Sequence, residues 1–260
     1  MAQLENRTAL ITGGGTGIGL AIAQRFHKEG AFVVICGRRE RVLEEAARKI
    51  SSSGERILQV PADVTVESDV NALIDTVVKA RGQIDILVNN AGVMRFGSLQ
   101  EATIELWDQL MQVNLYAPWR LMVKVAPIMR KAGGGSIINL SSIAGSKAFP
   151  NSGVYCTTKG ALQLLSQVMA MESAADKIRV NVICPALVED TELANPIFGE
   201  ENVPEFWEKI RPLHPLGRSG IPADIADAAV FFASEQSSWV TGVIFPLDGG
   251  RHMATNRPPA

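Results

Sequence analysis

The chain has 260 residues, 47% of them hydrophobic and 20% charged, which is the balance of a globular protein able to bury a large core. A formal net charge of −2 leaves no basic excess for nucleic acid or an anionic membrane surface. No apolar run approaches the ~20 residues of a membrane span, and Met1–Arg7 is polar rather than a secretory leader. The three cysteines, Cys36, Cys156 and Cys184, are far apart with no metal-ligand spacing. The first and last lie in apolar runs, so buried thiols in a reducing, cytoplasmic setting are expected.

Strand-like and helix-like segments alternate along the chain. Thr8–Thr12 is a short apolar strand followed by Gly13-Gly14-Gly15-Thr16-Gly17-Ile18-Gly19, which opens a helix over Ile18–Glu29. Glycines at such a turn let the backbone approach a pyrophosphate, and the helix N-terminus attracts its charge. The spacing is Gly13-x-x-x-Gly17-x-Gly19, and the absence of a Gly-Lys-Ser/Thr ending excludes a P-loop. A second buried strand, Ala31–Cys36, ends at Gly37-Arg38-Arg39. An acidic residue at that strand end would hold the ribose hydroxyls of NAD. Glycine followed by two arginines instead suits a 2′-phosphate, so NADP is expected and NAD is the weaker candidate.

A charged helix over Arg39–Ser51 leads to a third strand, Ile57–Pro61, and then Asp63-Val64, where a carboxylate can accept from an adenine amine. Val66–Arg81 reads as a helix and Ile84–Asn89 as a fourth strand, ending in Asn90-Ala91-Gly92. Asparagine side chains there can tie neighbouring loops together. A long helix is expected over Leu106–Lys131, bent or interrupted at Pro118 and Pro127, with the poor helix former Asn114 inside it.

Strand five, Ser136–Leu140, ends abruptly at Ser141-Ser142. The helix expected over Tyr155–Ala174 carries Tyr155 and Lys159 four residues apart, hence on one face. A cation beside a phenol favours the phenolate, bringing the group toward a working pH for exchanging a proton with an alcohol oxygen; Ser142 could bond the same oxygen. Strand six is Arg179–Cys184, a helix spans Pro222–Ala233, and strand seven is Gly242–Leu247. Residues 195–211 read as irregular, and residues 193–211, with Phe198, Phe206 and Trp207 among polar and glycine residues, as a lid over the site; Met94 and Phe149 are placed to line the opposite wall.

Buried strands alternating with helices give an α/β fold. The expected architecture is one Rossmann-type, doubly wound domain over residues 1–252, its parallel sheet covered by helices on both faces, with a fraying tail over 253–260.

Together these residues resemble the short-chain dehydrogenase/reductase family over about residues 5–250: Thr12-Gly13-x-x-x-Gly17-x-Gly19, Asn89-Asn90-Ala91-Gly92, Asn114, Ser142, Tyr155-x-x-x-Lys159 and Asp248-Gly249-Gly250. The resemblance implies a seven-stranded parallel sheet and an Asn114–Ser142–Tyr155–Lys159 tetrad. Tyr155 would give the proton to a carbonyl oxygen polarised by Ser142. Lys159 would lower the Tyr pKa and hold the nicotinamide ribose, and Asn114 would help hold a relay water. Gly13, Gly15, Thr16, Gly17, Ile18, Gly19, Arg38, Arg39, Asp63, Val64, Asn90, Ala91, Gly92, Pro185 and Val188 would line the cofactor. The family pattern has Pro-Gly after strand six; this chain has Pro185-Ala186 and one extra residue before Thr191. The expected activity is interconversion of a ketone and a secondary alcohol with NADP(H). A 3-oxoacyl-[acyl-carrier-protein] reductase, a glucose dehydrogenase and, more remotely, a non-catalytic nucleotide sensor are the alternatives. The expected partner is a small carbonyl or alcohol substrate, and a homotetramer is expected from the apolar surface of the two long helices.

Overall fold

The computed structural model describes residues 2–191 and 203–254. Its strands are β1 (Thr8–Thr12), β2 (Phe32–Gly37), β3 (Ile57–Pro61), β4 (Ile86–Asn89), β5 (Gly135–Leu140), β6 (Ile178–Pro185) and β7 (Ile244–Leu247). They form one seven-stranded sheet in the order β3-β2-β1-β4-β5-β6-β7. Every pairing is parallel, with Leu10 opposite Val34 and Leu87, and Ile138 opposite Val88 and Asn181.

Parallel strands need crossovers, and here these are the helices α1 (Gly17–Lys28), α2 (Glu40–Ile50), α3 (Glu67–Arg81), α4 (Ile104–Met111), α5 (Ala117–Lys131), α6 (Gly153–Ser173), α7 (Val203–Ile210) and α8 (Pro222–Ala233). Side chains alternate across a strand, so each strand feeds two cores. Ala9, Ile11, Val33, Ile35 and Val88 pack with Ile22 and Phe26 of α1, Leu43 of α2 and Ala229 and Phe232 of α8. Leu10, Val34, Leu87, Ile137 and Val180 pack with Leu73 and Val77 of α3, Leu121 and Val125 of α5 and Ala170 of α6. This is the doubly wound arrangement read from the sequence.

Three expectations are corrected. The stretch 195–211 is not irregular throughout: α7 covers Val203–Ile210 and runs into a tight turn over Arg211–Leu213. Its proline at the second position loses only an N–H that has no helical partner, and Glu205 pairs with Lys209 one turn on at 2.6 Å. The long helix is two helices, α4 and α5, joined by a single π-helical turn over Gln112–Tyr116. Pro118 falls in the first turn of α5, whereas Pro127 lies inside α5 without ending it. Strand seven begins at Ile244 because Gly242, at φ +73°, turns there to donate to the Val180 carbonyl.

Candidate active site

The loops after β1, β2, β3, β4, β5 and β6 all lie at the carboxyl edge of the sheet, where doubly wound folds hold ligands. The glycine turn after β1 is built for a closely approaching ligand. Gly13 (φ +64°) and Gly17 (φ +51°) are left-handed, and a methyl group at Gly19 would lie 2.2 Å from the Gly13 carbonyl oxygen. Among the described residues no side chain caps the start of α1, and its first turn holds no acid. These features fit a dinucleotide pyrophosphate.

Asn90 braces this turn: its Nδ2 donates to the carbonyls of Thr12 (2.9 Å) and Gly13 (3.1 Å). The Thr12 hydroxyl accepts in return from the backbone N–H groups of Asn90 and Ala91, both at 3.0 Å. The tie read from the sequence is therefore present, and Thr12 is a partner that the sequence reading did not assign. Arg38 and Arg39 are exposed beyond β2. Asp63, after β3, is half-buried and accepts from the Thr65 N–H and hydroxyl with one carboxylate oxygen; Val64 beside it is buried.

The loop after β4 and the π turn are locked together. Asn114 is fully buried; its Oδ1 accepts from Val93 N and its Nδ2 donates to Val93 O, each at 2.9 Å. The same Nδ2 donates to the Thr158 hydroxyl (3.2 Å), which in turn donates to the Tyr155 carbonyl. Asn114 thus holds the Gly92-Val93 backbone against α6. A methyl at Gly92 would stand in ordinary contact with Asn114 Oδ1 (3.4 Å) and Lys159 Nζ (3.5 Å), which places this loop beside the ammonium.

Tyr155 and Lys159 sit one turn apart on α6, both buried, with Lys159 Nζ 5.7 Å from the Tyr155 ring centre. Lys159 donates to the Leu140 carbonyl at 2.8 Å. Burial pushes its pKa down to about 8. The expected lowering of the Tyr155 pKa is not what this arrangement gives. Burial pushes the phenol up to about 12, and the Ser142 hydroxyl beside it only partly offsets this. Desolvation is the largest influence on the phenol, while the ammonium donates to the Leu140 carbonyl.

Ser142 follows β5, its hydroxyl donating to the Pro185 carbonyl (3.3 Å) and accepting from Ala144 N (3.1 Å). Met94 and Phe149 pack against the cluster that contains Tyr155, Val154 and Leu110. After β6, Asp190 is left-handed (φ +56°), and Thr191 lies against Gly17, its hydroxyl donating to the Val188 carbonyl at 3.0 Å. Pro185 and Val188 are buried along this segment.

Of the lid residues, Phe198 lies outside the described residues. Phe206 and buried Trp207 form an edge-to-face pair on α7, with ring centres 5.1 Å apart. Arg211, just beyond α7, grips Glu189 through two bonds of 2.9 and 3.0 Å, which fixes the end of this helix to the segment after β6. Among the described residues, no helix is long and apolar enough to cross a membrane, and no group of three or more His, Cys, Asp or Glu is placed for a metal ion.

A parallel doubly wound sheet with a glycine turn and a Ser–Tyr–Lys group at its carboxyl edge defines an oxidoreductase that binds a nicotinamide dinucleotide. The model of a family described as Enoyl-(Acyl carrier protein) reductase matches residues 13–252. The chain belongs to the short-chain dehydrogenase/reductase family. It is 36% identical over 248 residues to 2-(S)-hydroxypropyl-CoM dehydrogenase 3 of Xanthobacter autotrophicus, covering 95% of this chain and 97% of that one. It is also 36% identical over 250 residues to 2,5-dichloro-2,5-cyclohexadiene-1,4-diol dehydrogenase LinX of Sphingobium indicum, covering 95% and 97%. A crystal structure of a short-chain type dehydrogenase/reductase from Mycobacterium marinum superposes with a TM-score of 0.89 at 31% identity, covering 96% of each chain.

Proposed function

We propose that the protein interconverts a secondary alcohol and a ketone with NADP(H), Tyr155 exchanging the proton with the substrate oxygen. The observation that carries this reading is the placement of Tyr155 and Lys159 one turn apart, with the Ser142 hydroxyl beside the phenol and Gly92 next to the ammonium. The nicotinamide supplies or takes the hydride when bound. Gly13, Gly17 and the open start of α1 would hold the pyrophosphate, Asp63 and Val64 would flank the adenine, and Lys159 would hold the ribose. Ser142 hydrogen-bonds the substrate oxygen while Tyr155 gives or receives the proton there. A phenol held near pKa 12 is protonated at neutral pH, which is the form that donates to a carbonyl.

Cofactor preference rests on Gly37, Arg38 and Arg39 at the end of β2, where a guanidinium fork suits a 2′-phosphate and Gly37 stands in place of the acid that would hold the ribose hydroxyls of NAD. The substrate is one with an apolar body, received by Met94 and Phe149 on one side and by the 193–211 segment bearing Phe206 and Trp207 on the other. Both named relatives are dehydrogenases of hydroxyl-bearing compounds, which supports an alcohol at the reacting centre. Assembly as a homotetramer is supported by apolar side chains left exposed on the two long helices: Trp119 and Val123 on α5, and Leu164, Val168 and Met171 on α6.

The test is Tyr155→Phe assayed against a panel of aryl and alkyl ketones and the matching alcohols. Turnover should fall by ~10²–10⁴, the usual worth of general acid–base catalysis, with cofactor affinity near that of the parent. Turnover within a few-fold of the parent would remove Tyr155 from the reaction.

A further inference from the structure

Tyr155 and Lys159 belong to a longer stripe. The next position on that face of α6, two turns from Tyr155, is Gln163, which is 4% exposed. Its Nε2 donates to the Ser142 carbonyl at 3.0 Å and lies 3.2 Å from Ser141 Oγ and 3.4 Å from Cys184 Sγ. The orientation of the amide is set by chemistry, because a backbone carbonyl can only accept and therefore faces the nitrogen. Ser141 closes the circuit by donating to the Lys159 carbonyl at 3.0 Å. The serine loop after β5 is thus stitched to the helix that carries Tyr155 and Lys159.

Room has been made for this stitch. A methyl at Gly145 would lie 2.3 Å from Gln163 Nε2 and 2.8 Å from the Lys159 carbonyl carbon. A methyl at Gly160 would lie 3.0 Å from the Gly145 carbonyl oxygen. Two glycines therefore let the serine loop lie directly on α6, where the Gln163 amide reaches it. A buried amide that served only to fill space would strand its donors; here they fall on the two residues that follow β5 and on the Cys184 thiol of β6.

We propose that Gln163 is a positioning residue that acts through Ser142, holding its backbone so that its hydroxyl meets the substrate oxygen and the Tyr155 phenol together. The inference rests on the catalytic reading of Ser142 given above. An error of ~1 Å in such a group can cost ~10²-fold in rate. Gln163→Leu keeps the bulk and removes the donors. It should lower kcat by about 10-fold or more while the cofactor dissociation constant, set at the glycine turn, stays within about twofold, because only geometry at the reacting oxygen changes. A general structural role would give a different result in the cycle with Ser142→Ala: once the hydroxyl is gone, adding Gln163→Leu should cost less than about threefold further. Gln163→Met, which keeps the unbranched length without the amide, should reproduce the kcat loss and the same non-additivity; it also stands in if Gln163→Leu does not fold. Multiplicative losses in either cycle, or a Gln163→Leu kcat within twofold of the parent, would overturn the assignment while leaving Ser142 in the reaction. Full activity in Ser142→Ala alone would remove both the catalytic reading and the inference built on it.

Discussion

Replacing Lys159 with methionine should change stability by an amount that depends on pH. The lysine is 5% exposed, and burial holds its pKa near 8 against 10.5 for the ordinary side chain. The lowered value means that the folded state binds the proton less tightly than the unfolded chain. Keeping the ammonium buried therefore costs stability below pH 8, and the cost is relieved as pH rises toward 10.5. A displacement of this size corresponds to about 3 kcal/mol at neutral pH, at ~1.4 kcal/mol per pKa unit. Methionine matches the length of the stem without the charge. The cofactor-free parent should gain about 2–3 kcal/mol relative to Lys159→Met between pH 7 and pH 10. The comparison is kept to pH 10 because Tyr155, with a raised pKa of about 12, loses stability above that point with the opposite sign. Urea unfolding of both proteins at several pH values measures the gap. A gap that stays constant from pH 7 to pH 10 would refute the reasoning, since Lys159 would then keep its proton equally in the folded and unfolded chain.

Gly19→Ala should abolish measurable cofactor binding at millimolar concentration, because its methyl would fall 2.2 Å from the Gly13 carbonyl; isothermal titration against both dinucleotides reads this directly. Arg38→Ala should raise the Michaelis constant for NADPH by at least about 10-fold and leave that for NADH within about twofold, consistent with loss of a charge-assisted phosphate contact; equal effects would make Arg38 a surface charge only. Light scattering at micromolar concentration should give four times the chain mass, and a monomer would overturn the reading of the apolar faces of α5 and α6.

The sheet was legible because its central strands β1, β2, β4 and β5 are largely apolar runs that stop at glycine, asparagine or serine, the pattern of strands buried on both faces. Tyr155 and Lys159 were legible for a similar reason, since spacing along one helix fixes which residues share a face. Gln163 sits on that same face and carried the same signal one step further, but its partners lie on β5 and β6, and nothing local announces that a loop 20 residues upstream will lie upon it. The direction of the Tyr155 pKa was illegible for a physical reason: a charged neighbour can be read from spacing, whereas burial, the larger effect here, belongs to the assembled fold. The helix α7 was hidden by its shortness, only Val203–Ile210, among prolines that usually mark irregular chain.

The π turn at Gln112–Tyr116 holds one more residue than an α-helix would need to span the same rise. Asn114 faces the Val93 backbone because of that surplus. Chain length in this stretch is therefore as constrained as residue identity. Removing a single residue between 112 and 116 would let α4 and α5 fuse into one regular helix, a gain in local order. The flanking turns would keep their phase, but residues within the stretch would shift by about 100° around the axis. Asn114 could survive such a deletion and still lose its hold on the loop after β4. A relative with this asparagine but one residue fewer would keep the letter and lack the anchor.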